Sequence, residues 1–545
     1  MTIDSIQIPV QPNGSFLAFL PLPTPNDPSY SLVASLGADT IRTTVPIRLL
    51  PPIPTLSSSG PLEVDSTSVT PAGSLALRDD ELVRVAVRAP ANARVTWLGD
   101  SGATLPLVAM SALPPQFASG AAAPRYSSDS TAWATAVPAR RLRTGTSIVV
   151  TRDADTVRLP LPAVAAPMPN GTWAMLGADT SAVNDTDRVI IGRPVPNGTY
   201  KWLLMAGTVV PVTGSAGDFT RVRLDDHLEI WVKQSDLALM PAGWTPPARV
   251  AGNASLQPDS GWVDLRIPMS SRPPFLVGEG DHELTLTLYG VTGNTDIIHY
   301  AGIDSLVRVV RWEPVGSDRV RYTVQLATQP FGYLAFWSDG TFVFRVRRPP
   351  AIDPSHPLAG LTIAVDPGHP PIGATGPTGL YEPVPTLAVG EKLRDILQAR
   401  GATVVMTRLT PAPVALGDRP IIARRANAQA LVSIHLNALP DGINPFTSHG
   451  TGTYFFHPQS APLARALETG LVRRMGLREL GVNYDNLALA RPTWMPAVLC
   501  EGAFIMMPRQ EAALRTPEFQ EAYARGIADG LEAYFTSLAP PPQHR

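Results

Sequence analysis

Two patterns of apolar and polar residues divide this chain near residue 350. Before it, apolar positions recur with period two, as in Val83, Val85 and Val87, in Leu284, Leu286 and Leu288, and in Phe342, Phe344 and Val346. That is the period of half-buried β-strands. From 361 the pattern becomes strand and helix in alternation. LTIAVD (361–366) reads as a buried strand, residues 386–400 as an amphipathic helix stopped by Gly401, and ATVVMT (402–407) as the next strand. A helix over 416–430, strands at 431–435 and 452–457, a helix over 459–475, a strand at 496–501 and a helix over 517–535 follow. The expected architecture is multidomain: N-terminal all-β modules, then a C-terminal α/β domain whose largely parallel sheet is covered on both faces.

Punctuation refines the division. The tract Pro-Asn-Gly followed by Ser or Thr and an aromatic occurs at 12–16, 169–173 and 196–200, and Asn-Gly signals a hairpin turn. Stretches rich in Pro, Ala and Gly at 111–125, 160–170 and 241–248 read as loops or linkers. The resulting segments are 1–65, 66–165, 166–248, 249–350 and 351–545. A length of 545 residues is too great for one hydrophobic core.

Composition narrows the function. The 58 prolines are about twice the average share and charged residues make up only 17%, which suits β modules on stiff connectors. A net charge of −2 without basic runs gives no field for gripping nucleic acid, which is therefore not an expected partner. Cys500 is the single cysteine, so an intrachain disulfide framework is excluded; within its apolar run it reads as a buried thiol. Residues 1–10 lack the features of a secretory signal, and no stretch approaches the ~18 apolar residues of a membrane span.

The candidate chemistry lies where apolar strand-like runs end. DPGH (366–369), SIHLNA (433–438) and LCEGAF (499–504) all sit there, and Glu382 follows a Gly-rich loop, GATGPTGLYE. An α/β sheet exposes its working side chains at such strand ends. Two imidazoles and a carboxylate are what a catalytic Zn²⁺ takes from protein, its fourth position being left to water. His369, Glu382 and His435 are thus candidate ligands. Glu501, at the end of its strand, is the candidate general base and acid, because an amide nitrogen leaves poorly unless protonated. Glu391 is a rival ligand that falls inside a helix, and His449 and His457 flank a strand at spacings that fit no ligand pair. Asp366 suits a role in capping the turn or orienting His369 better than metal binding. Asn437 is the candidate substrate contact, and 439–449 a candidate rim.

The ordered segments IAVDPGH, GLYEPVPTLAVGEKLRDILQARGATVVMTR, DRPIIARRANAQALVSIHLNA, GTGTYFF and PAVLCEGAFIMMP resemble the N-acetylmuramoyl-L-alanine amidase family, the type-3 zinc amidases. The resemblance spans about 175 residues. It implies zinc on His369, Glu382 and His435, catalysis by Glu501, and a peptidoglycan substrate cut between muramic acid and L-alanine. Pro370 and Pro371 depart from the glycines that usually follow DPGH. Residues 250–350 resemble the β-sandwich AMIN modules of such enzymes, 188–240 a bacterial SH3-like barrel, and 66–160 could be an Ig-like sandwich. The resemblance implies work outside the cytoplasm, in periplasm or cell wall, although no signal peptide is visible, and it leaves any protein activator unknown. A zinc exopeptidase and an inactive wall-binding protein are the competing readings.

Overall fold

The computed structural model describes all residues except 25, 50–55, 111–129, 144, 170, 178–188, 247, 441–442 and 540–545. The expected loop at 111–125 lies outside the described residues, as do parts of the 169–173 turn, of the 241–248 linker and of the 439–449 rim.

The N-terminal region is β-rich. Residues 2–46 make a four-stranded antiparallel sheet. Between 65 and 160, two four-stranded sheets share a core built on Val85, Trp97, Ile148 and Val150. The connector expected over 160–170 is in part a strand: Ala163–Pro167 pairs in parallel with Gly73–Leu77, which in turn pairs with Val209–Ala216. Alternate residues Ala163 and Ala165 are buried while Val164 is exposed, so a small-residue strand lies flat on the core where composition suggests a linker. Between 254 and 347, sheets of five and four strands close over Leu256, Leu265, Leu286, Tyr322 and Phe344.

The C-terminal α/β region contains β1 (Thr362–Pro367), α1 (Pro383–Ala399), β2 (Thr403–Met406), α2 (Asp418–Arg425), β3 (Ala430–Asn437), β4 (Thr451–Phe455), α3 (Ala461–Met475), β5 (Glu479–Tyr484), β6 (Ala497–Phe504), α4 (Pro508–Leu514) and α5 (Pro517–Leu538). Strand order is β2-β1-β3-β6-β4-β5. All neighbours are parallel except β6 and β4, so the sheet is largely parallel, as expected, and is made mixed by that one antiparallel junction. The chain leaves β3 at the site edge and returns through β4 in the opposite sense, whereas a parallel return needs a long crossover. Strand β5 and helix α4 were not expected from the sequence.

One sheet face packs on α1, α3 and α5 through Leu393, Leu467, Tyr523 and Ile527. The other is covered by α2 and the 488–495 segment, with Trp262 and Leu334 of the preceding sandwich packed on the same cluster. The guanidinium of Arg347 donates to the carbonyls of Asn427, Ala428 and Trp494, which ties that sandwich to the back of the sheet.

Candidate metal centre

Parallel pairing sets the site. Asp366 is registered with Ser433, and His435 with Glu501 on the adjoining strand, so both side chains emerge at one edge. Gly368 lets the strands approach this closely, because a Cβ there would lie 2.6 Å from the His435 ring.

Glu382 immediately precedes α1 and is 3% exposed. Its Oε2 lies 3.2 Å from His369 Nε2 and its Oε1 3.3 Å from His435 Nδ1. The same oxygens accept the backbone N–H groups of Ala374 and Leu436, both at 2.9 Å. Burial alone would raise the Glu382 pKa; hydrogen bonds and charge from the two histidines overcome it and hold the carboxyl well below the usual range. One donor atom from each of His369, Glu382 and His435 lies within 4.8 Å of the others. Two imidazoles and a carboxylate so placed fit a Zn²⁺ site.

Glu501 is half-buried. Its Oε2 is shut off from solvent with no hydrogen-bond partner among the described residues. Burial first, and then the Glu382 charge, pushes its carboxyl well above the ordinary value. A carboxylate left unpaired beside a ligand cluster is available to a proton on a reacting molecule.

Asn437 ends β3 two residues after His435, and Tyr454 stands on β4 on the other side of β6. Burial and the charge of Glu501 push the Tyr454 phenol up to about 12. At neutral pH it therefore keeps its proton as a donor beside the site.

Other sequence candidates lie elsewhere. His457 pairs with Glu279 at 2.7 Å and with the Arg491 carbonyl at 2.9 Å, and His449 Nδ1 lies 2.9 Å from the Pro445 carbonyl. Glu391 belongs to no group of converging donors among the described residues. Cys500 is buried. Asp366 is fully buried; it accepts from Thr407, Ser433 and Arg419. Arg419 also donates to the carbonyls of Pro367, His369 and Pro370. Asp366 thus acts on His369 through Arg419 and the turn backbone. That turn needs holding, since His369 has φ +58°, a region that costs a non-glycine residue energy.

Sequence reasoning missed two supports. The Tyr523 hydroxyl accepts from Gly502 N–H and lies within hydrogen-bond distance of the His435 and Cys500 carbonyls, which locks β3 to β6. Glu511 on α4 is fully buried; it accepts from Thr378 N–H, the Thr378 hydroxyl, Leu380 N–H and Arg515. It thereby anchors the Gly-rich loop that delivers Glu382. Glu511→Ala strands two backbone donors, each at about 1–3 kcal/mol. The expected result is a roughly 10–100-fold loss of metal affinity with the β modules still folded, read by metal titration alongside thermal unfolding. Unchanged affinity would show that the loop holds its shape without this carboxylate.

Residues 363–533 match the Amidase_3 family, N-acetylmuramoyl-L-alanine amidase, and the C-terminal part of the chain carries this amidase domain. A protein of Staphylococcus epidermidis described as "Probable cell wall amidase LytH" is 33% identical over 187 residues, covering 34% of this chain and 61% of that protein. Its Staphylococcus aureus counterpart is 32% identical over 152 residues, covering 28% and 49%. The chain thus spans less than two thirds of the length of these curated relatives. Among solved structures, the N-acetylmuramoyl-L-alanine amidase from Clostridium difficile 630 is 30% identical, with 32% of this chain and 97% of that one covered and a TM-score of 0.31.

Proposed function

We propose that this protein hydrolyses the amide between N-acetylmuramic acid and the L-alanine of the peptidoglycan stem peptide, with Zn²⁺ on His369, Glu382 and His435 and proton transfer by Glu501. The observation that carries the reading is the pairing of a converging His-Glu-His cluster with an unpartnered buried carboxylate oxygen on the neighbouring strand. A bound Zn²⁺ would polarise the substrate carbonyl and acidify the attacking water. Glu501 takes the proton of that water as the C–O bond forms. It then gives the proton to the amide nitrogen, so that the C–N bond breaks with a neutral amine leaving. Asn437 and Tyr454 offer an amide and a phenol to hold the substrate beside this edge.

The N-terminal segments enter the same proposal as wall-binding modules. An AMIN-like reading of 249–350 is supported by its two sheets on a common core. An SH3-like reading of 166–248 is supported by the short 3₁₀ turn Gln234–Asp236 that precedes the last short strand, Leu237–Leu239. The proposed place of work is outside the cytoplasm. Among the described residues no helix is long and apolar enough to cross a membrane.

Digestion of purified wall with the full chain tests the function. The expected products are stem peptides with a free L-alanine amino terminus and glycan retaining the lactyl carboxylate. New amino termini within the stem would indicate a peptidase instead, and absence of release would indicate a binding protein.

A further inference from the structure

The segment that follows the first hairpin of the N-terminal sheet meets the α/β region beside the loop that carries Glu382. Its Pro-Asn-Gly turn is tight: Gly14 N–H donates to the Gln11 carbonyl, and Asn13 Oδ1 accepts from both the backbone N–H and the hydroxyl of Ser15. Gln11 Oε1 accepts from Arg509 Nε on α4 at 3.3 Å. Between this turn and the α/β region lies an open groove of about 500 Å³, with Asn13 and Phe16 on one wall and Thr375, Thr378 and Met506 on the other.

The groove adjoins the site through the backbone. Thr375 follows Ala374, whose N–H holds Glu382 Oε2. Met506 accepts from Leu439 N–H through its sulfur, and the preceding Ile505 donates to the Asn437 carbonyl. The α/β wall therefore continues both into the ligand loop and into the end of β3. None of the lining side chains is charged; amide and hydroxyl groups stand beside one aromatic ring and aliphatic surface. Such a surface suits an uncharged ligand that presents hydroxyl and acetamido groups on an apolar face; the cations at its edges, Arg509 and Arg515, are engaged by Gln11 and by Thr378 and Glu511.

We infer that this groove is a saccharide subsite, in which the first module and the amidase domain together hold the glycan strand a short distance from the bond to be cut. The inference deepens the proposed function and rests on it for the identity of the sugar. On this reading the first module takes part in substrate recognition beside the metal centre, and its Phe16 ring supplies the stacking surface.

The test uses full-length protein and two readouts. Binding of peptide-free N-acetylated glycan oligosaccharides is measured by titration. Cleavage of long peptide-bearing glycan is compared with cleavage of a single disaccharide-peptide. Phe16→Ala removes the ring, and Leu17→Trp fills the groove from a lining position outside the ligand loop, so a folding defect in one variant leaves the other informative. Each is expected to weaken glycan binding by about tenfold and to raise KM for the long substrate relative to the short one, with kcat little changed. Wild-type binding by both variants would overturn the inference. So would faster cleavage of both substrates by either variant, which would make the N-terminal turn a plug. Glycan binding that is lost in the variants of a protein that cleaves neither substrate would keep the subsite and overturn the amidase reading. Cleavage of both substrates with no glycan binding by wild type would do the reverse.

Discussion

On the proposed function, Glu501→Gln is expected to abolish wall hydrolysis while bound metal is retained. The amide preserves the size of the side chain and its place at the end of β6, but cannot accept the proton of the attacking water. The loss expected for a general acid–base group is about 10²–10⁴-fold. Glu501 belongs to no hydrogen-bonded support of the ligands: its Oε2 has no partner among the described residues, whereas Glu382 bridges both histidines. Replacing a buried acid near another carboxylate by a neutral amide also removes an unfavourable charge, so the variant should unfold no earlier than wild type. Metal stoichiometry, thermal unfolding and release of stem peptides are measured on the same preparation. Cleavage within a few-fold of wild type would remove Glu501 from the mechanism, and loss of metal would make it a ligand instead.

The strand-end motifs made much of this centre legible in the sequence. DPGH, SIHLNA and LCEGAF each join an apolar strand to a polar cluster within a few residues, so the backbone that carries the chemistry also announces it. Glu511 could not be read in the same way. It contacts Thr378 across 133 residues of sequence and stands in a helix whose composition suggests a solvated acid. Its burial depends on which loop packs over it. Tyr523 is equally remote from His435 and looks like one more apolar position on an amphipathic helix. The antiparallel junction between β6 and β4 escaped for a related reason, since local periodicity identifies strands but not their direction. Misreading 163–167 as a connector came from composition: alanine and proline resemble a linker until another strand pairs with them. The groove beside the N-terminal turn was beyond reach because it joins residues from opposite ends of the chain.

Replacing His369, Glu382 or His435 by alanine should empty the centre, but the three variants should differ before any metal is added. Each histidine lies beside one oxygen of the Glu382 carboxylate, and losing either removes a donor while Glu382 keeps its bonds to Ala374 and Leu436 N–H. Glu382→Ala removes a donor and leaves those two backbone groups without their acceptor, at about 1–3 kcal/mol each when buried. In metal-free buffer, Glu382→Ala should therefore unfold at a lower temperature than His369→Ala or His435→Ala. Added Zn²⁺ should stabilise wild type by mass action, by about 2.7 kcal/mol at a free concentration 100 times Kd, and should shift none of the three variants comparably. Glu391→Ala, outside the cluster, should follow wild type in metal content and in zinc-dependent stability. Unfolding scans with a chelator and with graded Zn²⁺, paired with metal analysis, separate these effects. If Glu391→Ala lost the zinc-dependent shift while Glu382→Ala kept it, the third ligand would have to be reassigned. If metal-free Glu382→Ala matched the histidine variants, the carboxylate would bind metal without also bracing the loop.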